Sequence, residues 1–129
     1  MRIDVLTIFP EMFTALDASV IGRARQAGLI DLQVRDIRPY SKRKHKNTDD
    51  YPFGGGAGML MMAQPISDAI EDIAPEPFAG KRILLSPRGQ VLTQALAQQL
   101  SREPRLLLVC GHYEGVDERV IERQIDMEL

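Results

Sequence analysis

The chain has 129 residues, of which 44% are hydrophobic and 26% are charged, a composition typical of one ordinary soluble globular domain. Its single cysteine, Cys110, excludes an intrachain disulfide, and no apolar run approaches the roughly 20 residues needed to span a bilayer. The formal net charge of −2 argues against a protein that coats nucleic acid without specificity.

The first third of the chain predicts two strands with a helix between them. Residues 2–8 alternate and are β-branched, which is typical of a strand. Their short apolar run ends at Pro10 and is unlike a signal peptide, so we expect a cytoplasmic protein without a membrane segment. Residues 10–27 predict a helix that we expect to break near residues 17–19, and residues 29–37 predict the second strand.

The second half of the chain alternates helices with apolar strands. Two helices, over residues 64–74 and 91–100, are predicted from apolar side chains at helical spacing. The apolar side chains that share one face are Ile66, Ala69, Ile70 and Ile73 in the first helix, and Leu92, Ala95, Leu96 and Leu100 in the second. The other predicted elements are a strand at 82–85, a turn at 86–90, a strand at 105–110, a loop at 111–115 and a helix at 116–125. This order predicts an α/β domain with a mainly parallel sheet flanked by helices.

Two loops that follow strands carry unusual chemistry. The turn SPRGQ contains Gly89, and in CGHYEGVDER a His-Tyr-Glu triplet lies between Gly111 and Gly115. Ligands of open α/β sheets bind beyond the carboxyl ends of the strands, so both loops are candidate site segments. Neither loop matches GxGxxG or the Walker pattern, and two ordinary tight turns remain the simpler interpretation of each loop taken alone.

Other reactive side chains carry weaker signals. Cys110 follows the apolar run RLLLV, which favours a buried structural thiol over a nucleophile. His45 and His112 lack CxxC or HExxH partners, so no metal site is predicted.

Residues 35–46, RDIRPYSKRKHK, form a basic segment on an acidic chain. The segment carries a net charge of +5 because only Asp36 opposes its cations, which are Arg35, Arg38, Lys42, Arg43, Lys44 and Lys46. Such a segment is either a local anion site or a solvated loop, and charge alone does not decide between them.

The stretch 42–59, KRKHKNTDDYPFGGGAGM, lies in a region without periodicity that covers residues 38–63. Long loops in compact domains are usually functional or disordered. Its glycines follow Tyr51 and Phe53, whereas flexible linkers usually pair Gly with Ser. Cations, aromatic rings and bare backbone together suit a nucleic acid with a base out of its stack.

Motifs along the whole chain resemble the N-terminal domain of the bacterial tRNA (guanine-N1)-methyltransferase family (TrmD), of the SPOUT class. They occur in the family's order: IFPEMF (8–13), GRARQAGLI (22–30), DYPFGGGAGMLM (50–61), LLSPRGQ (84–90), LVCGHYEGVDERV (108–120) and ID.E (125–128). The resemblance implies a sheet that ends in a trefoil knot, an exception to the rule against knotted chains.

The resemblance also implies a cofactor, S-adenosylmethionine, held bent inside the knot largely by backbone groups. The implied adenosyl pocket consists of Leu85, Ser86, Pro87 and Gly89, and its second wall of Gly111, Tyr113, Glu114 and Gly115. The implied reaction is methyl transfer to N1 of the guanosine at tRNA position 37, next to the anticodon, by a homodimer. Because the sulfonium is itself a good methyl donor, the protein must mainly align it with N1 and accept the N1 proton.

The same resemblance assigns the stretch 42–59 to the tRNA. Lys42, Arg43, Lys44 and Lys46 would neutralise phosphates. The implied contacts of the guanine are Asp50, Gly55, Gly56, Gly58 and Glu114.

Family members continue past the equivalent of Leu129 into the end of the knot, the catalytic base and a helical tRNA-binding domain. We therefore expect residues 1–129 to be the cofactor-binding domain without those parts, and we assign no catalytic residue within them. Three alternatives stay open: a SPOUT methyltransferase acting on another RNA atom, an RNA-binding module, and an inactive fragment.

Overall fold

The structure is a computed structural model that describes residues 1–129 except Phe53, Gly56 and Ala57. Its strands in chain order are β1 (Arg2–Thr7), β2 (Asp31–Asp36), β3 (Asp49–Asp50), β4 (Leu60–Met61), β5 (Lys81–Leu85), β6 (Arg105–Cys110) and β7 (Met127–Glu128). Its α-helices are α1 (Ser19–Gln26), α2 (Ala63–Ile73), α3 (Gln94–Leu100) and α4 (Glu118–Gln124). Two 3₁₀ helices cover Pro10–Asp17 and Arg38–Tyr40.

The main sheet has five parallel strands in the order β2-β1-β6-β5-β7. The prediction of a mainly parallel α/β domain is confirmed. Strands β3 and β4 form a separate antiparallel pair, with Asp50 opposite Leu60. Because every strand of the main sheet runs the same way, the loops that follow β1, β2, β5 and β6 gather at one edge.

Two apolar layers hold the sheet between helices. The first layer includes the predicted apolar face of α2, and Ile66, Ala69, Ile70 and Ile73 are all buried there against Leu107 and Val109 of β6. The second layer is smaller and places Leu96 and Leu100 of α3 against Ile83 and Leu106.

The helix predicted over residues 91–100 starts later than the apolar spacing indicates. Thr93 caps α3, since its hydroxyl oxygen accepts a hydrogen bond from the Leu96 N–H at 3.1 Å. A capping threonine has a non-helical backbone, so the residues before it leave the helix. Leu92 and Ala95, which the spacing places on the apolar face of this helix, are both exposed, Leu92 by 57%, so only Leu96 and Leu100 of that face pack against the sheet.

The predicted break within residues 10–27 is present. A 3₁₀ helix over Pro10–Asp17 gives way to α1 at Ser19. Gly22 makes the close turn feasible, because a Cβ there would lie 2.2 Å from the Asp17 carbonyl oxygen.

Sequence periodicity misses β7, which is only two residues long. It pairs with β5 in parallel, with Ile83 opposite Met127 and Leu84 opposite Glu128. This pairing carries the end of the chain past the turn at residues 86–90.

Candidate functional site

A cavity of about 410 Å³ opens at the carboxyl ends of β5 and β6. Its lining includes every residue that the sequence predicts for the adenosyl pocket and its second wall, except Gly89: Leu85, Ser86, Pro87, Gly111, Tyr113, Glu114 and Gly115. Apolar side chains complete the wall, among them Leu60, Val116 and Ile121. The two candidate loops, 86–90 and 111–115, therefore face one space although they are far apart in sequence, as the parallel sheet requires.

Gly89 lies outside this lining and has a packing role. A Cβ at Gly89 would lie 2.5 Å from the backbone nitrogen of Leu129. The Ser86 N–H donates to the Leu129 carbonyl at 2.9 Å, and the Gln90 N–H donates to the Glu128 carbonyl at 3.0 Å. Glycine is thus needed for the backbone of β7 to cross the turn.

Gly111 and Tyr113 shape the second wall through their backbone. Tyr113 has φ +59°, a left-handed conformation that is uncommon for an aromatic residue, and its side chain is 45% exposed. A Cβ at Gly111 would lie 3.5 Å from Val116 Cγ2, an ordinary contact distance, so only larger side chains there would fill the cavity.

The end of the glycine-rich stretch runs along this second wall. The Glu114 N–H donates to the Met59 carbonyl at 3.0 Å, the Met61 N–H donates to the Gly115 carbonyl at 2.9 Å, and the Asp117 N–H donates to the Met61 carbonyl at 3.0 Å. This ladder fixes the stretch beside the cavity. The ladder joins the end of the stretch 42–59 to the loop 111–115, which the sequence analysis describes as two separate loops.

Gly58 is the point of closest approach between the two segments. Its φ is +90°, and a Cβ would lie 2.4 Å from Glu114 Cγ. Any side chain at Gly58 would displace the Glu114 carboxylate, which lines the cavity.

A second cavity, of about 720 Å³, is adjacent to the first, and Leu60 lines both. Asp50 lines this second cavity. Its carboxylate accepts the Tyr51 N–H at 2.8 Å and Arg43 Nη2 at 2.6 Å. These contacts, the Tyr51 N–H first, hold the pKa of Asp50 below its usual value, so this carboxylate stays ionised at neutral pH.

The cations of the stretch 42–59 are solvent-facing but not equivalent. Lys42 and Lys44 are exposed, Arg43 pairs with Asp50, and Lys46 donates from its ammonium to the Ser41 carbonyl at 2.9 Å. Gly55 is exposed with φ +78°. Gly56, the remaining predicted guanine contact, lies outside the described residues.

Arg88 is a cavity residue that sequence reasoning missed. Its Nη2 donates to Glu118 Oε2 at 2.8 Å and its Nε to Glu128 Oε1 at 3.0 Å, so it joins the turn 86–90 to α4 and β7. These carboxylates, Glu118 first, raise the pKa of Arg88. The partners lie 30 and 40 residues away, and no local pattern indicates them.

An aromatic row crosses the same edge of the sheet: Phe9, His112 and Tyr113, with Arg38 at one end. The ring centroids of Phe9 and His112 are 5.0 Å apart, and those of His112 and Tyr113 are 4.8 Å apart, both edge-to-face. The Arg38 guanidinium lies 5.1 Å from the Phe9 centroid. The row ends at the cavity, which His112 and Tyr113 both line.

Cys110 ends β6 and is partly buried, and burial raises the pKa of its thiol. This environment agrees with a structural role. Over the described parts of the chain, no group of three or more His, Cys, Asp or Glu side chains could hold a metal ion. Within those same residues, no helix has the length and apolar character to cross a membrane.

Comparison with known proteins identifies the family. The family model described as tRNA (Guanine-1)-methyltransferase TrmD matches residues 1–129, so the chain belongs to this family and the resemblance stated from the motifs is confirmed. Among curated relatives, a tRNA (guanine-N(1)-)-methyltransferase of Clostridium beijerinckii is 53% identical over the whole chain, and one of Moorella thermoacetica is 54% identical over 93% of it.

A solved structure of the same class supports the fold. The tRNA (m1G37) methyltransferase from Aquifex aeolicus matches 99% of this chain with a TM-score of 0.85 and 32% sequence identity. The chain spans 53% and 49% of the lengths of the two curated relatives and 58% of the solved chain, which is about half.

Proposed function

We propose that the protein transfers a methyl group from S-adenosylmethionine to N1 of the guanosine at tRNA position 37. The observation that carries this proposal is the convergence of the turn 86–88 and the loop 111–116 on one cavity, with the glycine-rich stretch hydrogen-bonded along its wall. Membership of the family supplies the reaction class.

The cavity has features that fit the proposed cofactor. Its volume of about 410 Å³ is in the range of small-molecule sites, and its lining combines apolar side chains with exposed backbone of the two loops. Leu85, Val116 and Ile121 offer an apolar surface to an adenine ring. The carboxylates of Glu114, Glu118 and Glu128 outnumber Arg88 among the lining residues and favour a cationic ligand.

The bound cofactor would supply an electrophilic methyl group on a sulfonium. The chain's own task is then to position the acceptor. The Glu114 carboxylate lies where the glycine-rich stretch meets the cavity, and a carboxylate can accept from the N1–H and the amino group of a guanine edge. Gly58 keeps that carboxylate in place, and no catalytic base is proposed within residues 1–129.

The tRNA would approach over the basic side of the stretch 42–59. Lys42 and Lys44 are exposed, and within the part of the chain that the structure describes neither forms an ion pair, so both can contact phosphates. Arg43 would have to leave Asp50 or act through it. We also propose a homodimer, a trefoil knot of the kind the family resemblance implies, and a cytoplasmic location, in each case from that resemblance.

The test is methyl transfer to defined RNA. The purified protein is incubated with isotope-labelled S-adenosylmethionine and tRNA transcripts that carry guanosine or adenosine at position 37, and the product nucleosides are mapped by mass spectrometry. We expect N1-methylguanosine only from the guanosine transcript. Label on a ribose or on another base would support a different RNA target, and tRNA binding without transfer would support an RNA-binding module or an inactive fragment.

A further inference from the structure

We propose that the aromatic row, together with Arg38, is a stacking surface for an unpaired RNA nucleotide that neighbours the target guanosine. The inference rests on the proposed function and adds a second nucleotide-binding position to it. It is drawn from the arrangement of the row in the sheet.

The parallel register builds the row. Phe9 lies two residues after the end of β1, Arg38 two residues after β2 and His112 two residues after β6. These three strands are neighbours, with Thr7 opposite Asp36 and Leu6 opposite Val109. Positions at equal distance past the strand ends therefore lie side by side along the edge.

The backbone N–H groups of Phe9, Arg38 and His112 are each held by a separate hydrogen bond. The Phe9 N–H donates to Thr7 Oγ1 at 3.0 Å, the Arg38 N–H donates to Asp36 Oδ1 at 2.9 Å, and the His112 N–H donates to Met61 Sδ at 3.2 Å. A surface fixed in this way loses little conformational freedom when a ligand binds.

The exposure and charge of the row fit a single-stranded RNA segment. His112 is exposed and Tyr113 is 45% exposed, although both are aromatic. Arg38 places the row next to the basic segment 35–46, which offers charge for the phosphates. Bases of single-stranded RNA stack on aromatic rings and on guanidinium planes, whatever their sequence.

The position of the row suits a nucleotide beside the reacting one. The row starts at the basic segment and ends at the cavity proposed for the cofactor. His112 and Glu114 line the same cavity, so an RNA that brings one base to Glu114 can place a neighbouring base on His112. Stacking would hold the flanking nucleotide while the target base is out of its own stack.

The experiment compares His112→Ala with His112→Phe and Lys42→Ala by tRNA binding over a series of salt concentrations. Loss of a stacking ring costs roughly tenfold in affinity, so we expect the Kd of His112→Ala to rise about tenfold. His112→Phe retains a ring and should bind within about twofold of the wild type. The slope of log Kd against log salt should stay unchanged in both, whereas Lys42→Ala should reduce it by about 1.

A fluorescent base analogue, 2-aminopurine, locates the stacked nucleotide when it replaces each neighbour of the target guanosine in turn. We expect quenching at one neighbour with the wild type and His112→Phe, and its loss with His112→Ala. Wild-type affinity in His112→Ala, a Kd of His112→Phe as weak as that of His112→Ala, or a reduced salt slope in His112→Ala would each overturn the inference.

A change in oligomeric state without a change in tRNA affinity would also overturn it, since the row would then contact a second copy of the chain. The proposed function fails separately. In that case the wild type itself neither binds nor methylates tRNA, whereas failure of this inference alone leaves wild-type methyl transfer intact.

Discussion

Charged side chains are buried at the amino ends of the parallel strands and exposed at their carboxyl ends. Near the amino ends, Asp4 is fully buried and accepts from Arg2 Nε at 3.0 Å and Arg105 Nη2 at 2.9 Å, and Arg82 is 5% exposed and donates to the Ala74 carbonyl. Near the carboxyl ends, the ion pair of Arg88 with Glu118 has both side chains 56% exposed.

This difference separates charges that support the fold from charges that are available to a ligand. Every buried polar side-chain atom in the described residues has a hydrogen-bond partner. The buried cluster around Asp4 therefore has no unsatisfied polar group that a ligand could bind. The exposed pairs at the carboxyl edge contribute little to stability and can rearrange around a charged ligand. Substitutions at the amino ends should therefore change stability, and substitutions at the carboxyl ends should change activity or ligand binding.

The largest expected effect is on stability, at the amino end. Asp4→Ala leaves the Arg2 and Arg105 guanidiniums without their shared buried carboxylate and should lower the free energy of unfolding by roughly 3 kcal/mol. Chemical denaturation measures this loss. Asp31→Ala, an exposed carboxylate in the neighbouring strand, is the matched control and should cost less than about 0.5 kcal/mol. Equal stability of the two variants would contradict a supporting role for the buried cluster.

The next effect is on activity, at the carboxyl end. Gly58→Ala forces a Cβ into a space that lies 2.4 Å from Glu114 Cγ and places alanine at φ +90°. Displacing a positioning group by about 1 Å costs roughly 100-fold in turnover, so we expect kcat/KM for tRNA methylation to fall by about that factor.

Gly54→Ala is the control for this variant. No described atom lies within 4 Å of a Cβ at Gly54, so methyl transfer should stay at the wild-type rate. A wild-type rate in Gly58→Ala would show that Glu114 does not position the substrate.

Features of the fold and of the site that depend on local sequence patterns were predictable from the sequence. The strands β1, β2, β5 and β6, the buried face of α2 and the convergence of the loops around Gly111 and Leu85 follow from local periodicity and from the rule that parallel strands end at one edge. The late start of α3 depends on a single capping bond of Thr93, which competes with an apolar pattern that continues through Leu92.

Features made by distant pairs were not predictable. The partners of Arg88, the packing of Gly89 against Leu129 and the row through Phe9 and His112 join residues that are 30 or more positions apart. Each depends on strand register, or on the path of β7, which no short pattern records.

A smaller effect is expected on cofactor binding. Tyr113→Ala removes a ring that lines the cavity, and Gly111→Val adds methyl groups that point into it, so each should raise the Kd for S-adenosylmethionine about tenfold. Tyr113→Phe keeps the ring and should bind like the wild type. Titration calorimetry measures the affinities. Wild-type affinity in both Tyr113→Ala and Gly111→Val would remove the cavity as the cofactor site.

The smallest effect is expected at Asp117, which lies at the carboxyl end of the sheet, as the exposed ion pairs do, but is mostly buried, as Asp4 is. Asp117 is 13% exposed at the carboxyl end, caps α4 and accepts from Arg119 Nη2 at 2.7 Å. The hydrogen bond from the Arg119 side chain is the main cause that lowers the pKa of Asp117. A carboxylate with a lowered pKa contributes stability that is fully present above its unfolded value of about 3.9 and is lost as pH falls through the folded value.

Asp117→Asn keeps a good capping residue but removes this charge. The wild type should therefore be more stable than Asp117→Asn at pH 7, by about 0.5 kcal/mol because the Arg119 side of the pair is exposed to solvent, and the difference should shrink as the pH falls below about 4. Urea unfolding of both proteins at a series of pH values measures the difference. A difference that is constant with pH would mean that the Asp117 carboxylate contributes through hydrogen-bond geometry alone. In that case the charge of Asp117 would not stabilise the fold, although Asp117 is mostly buried. Asp117 would then differ from Asp4, whose charge we expect to stabilise the fold.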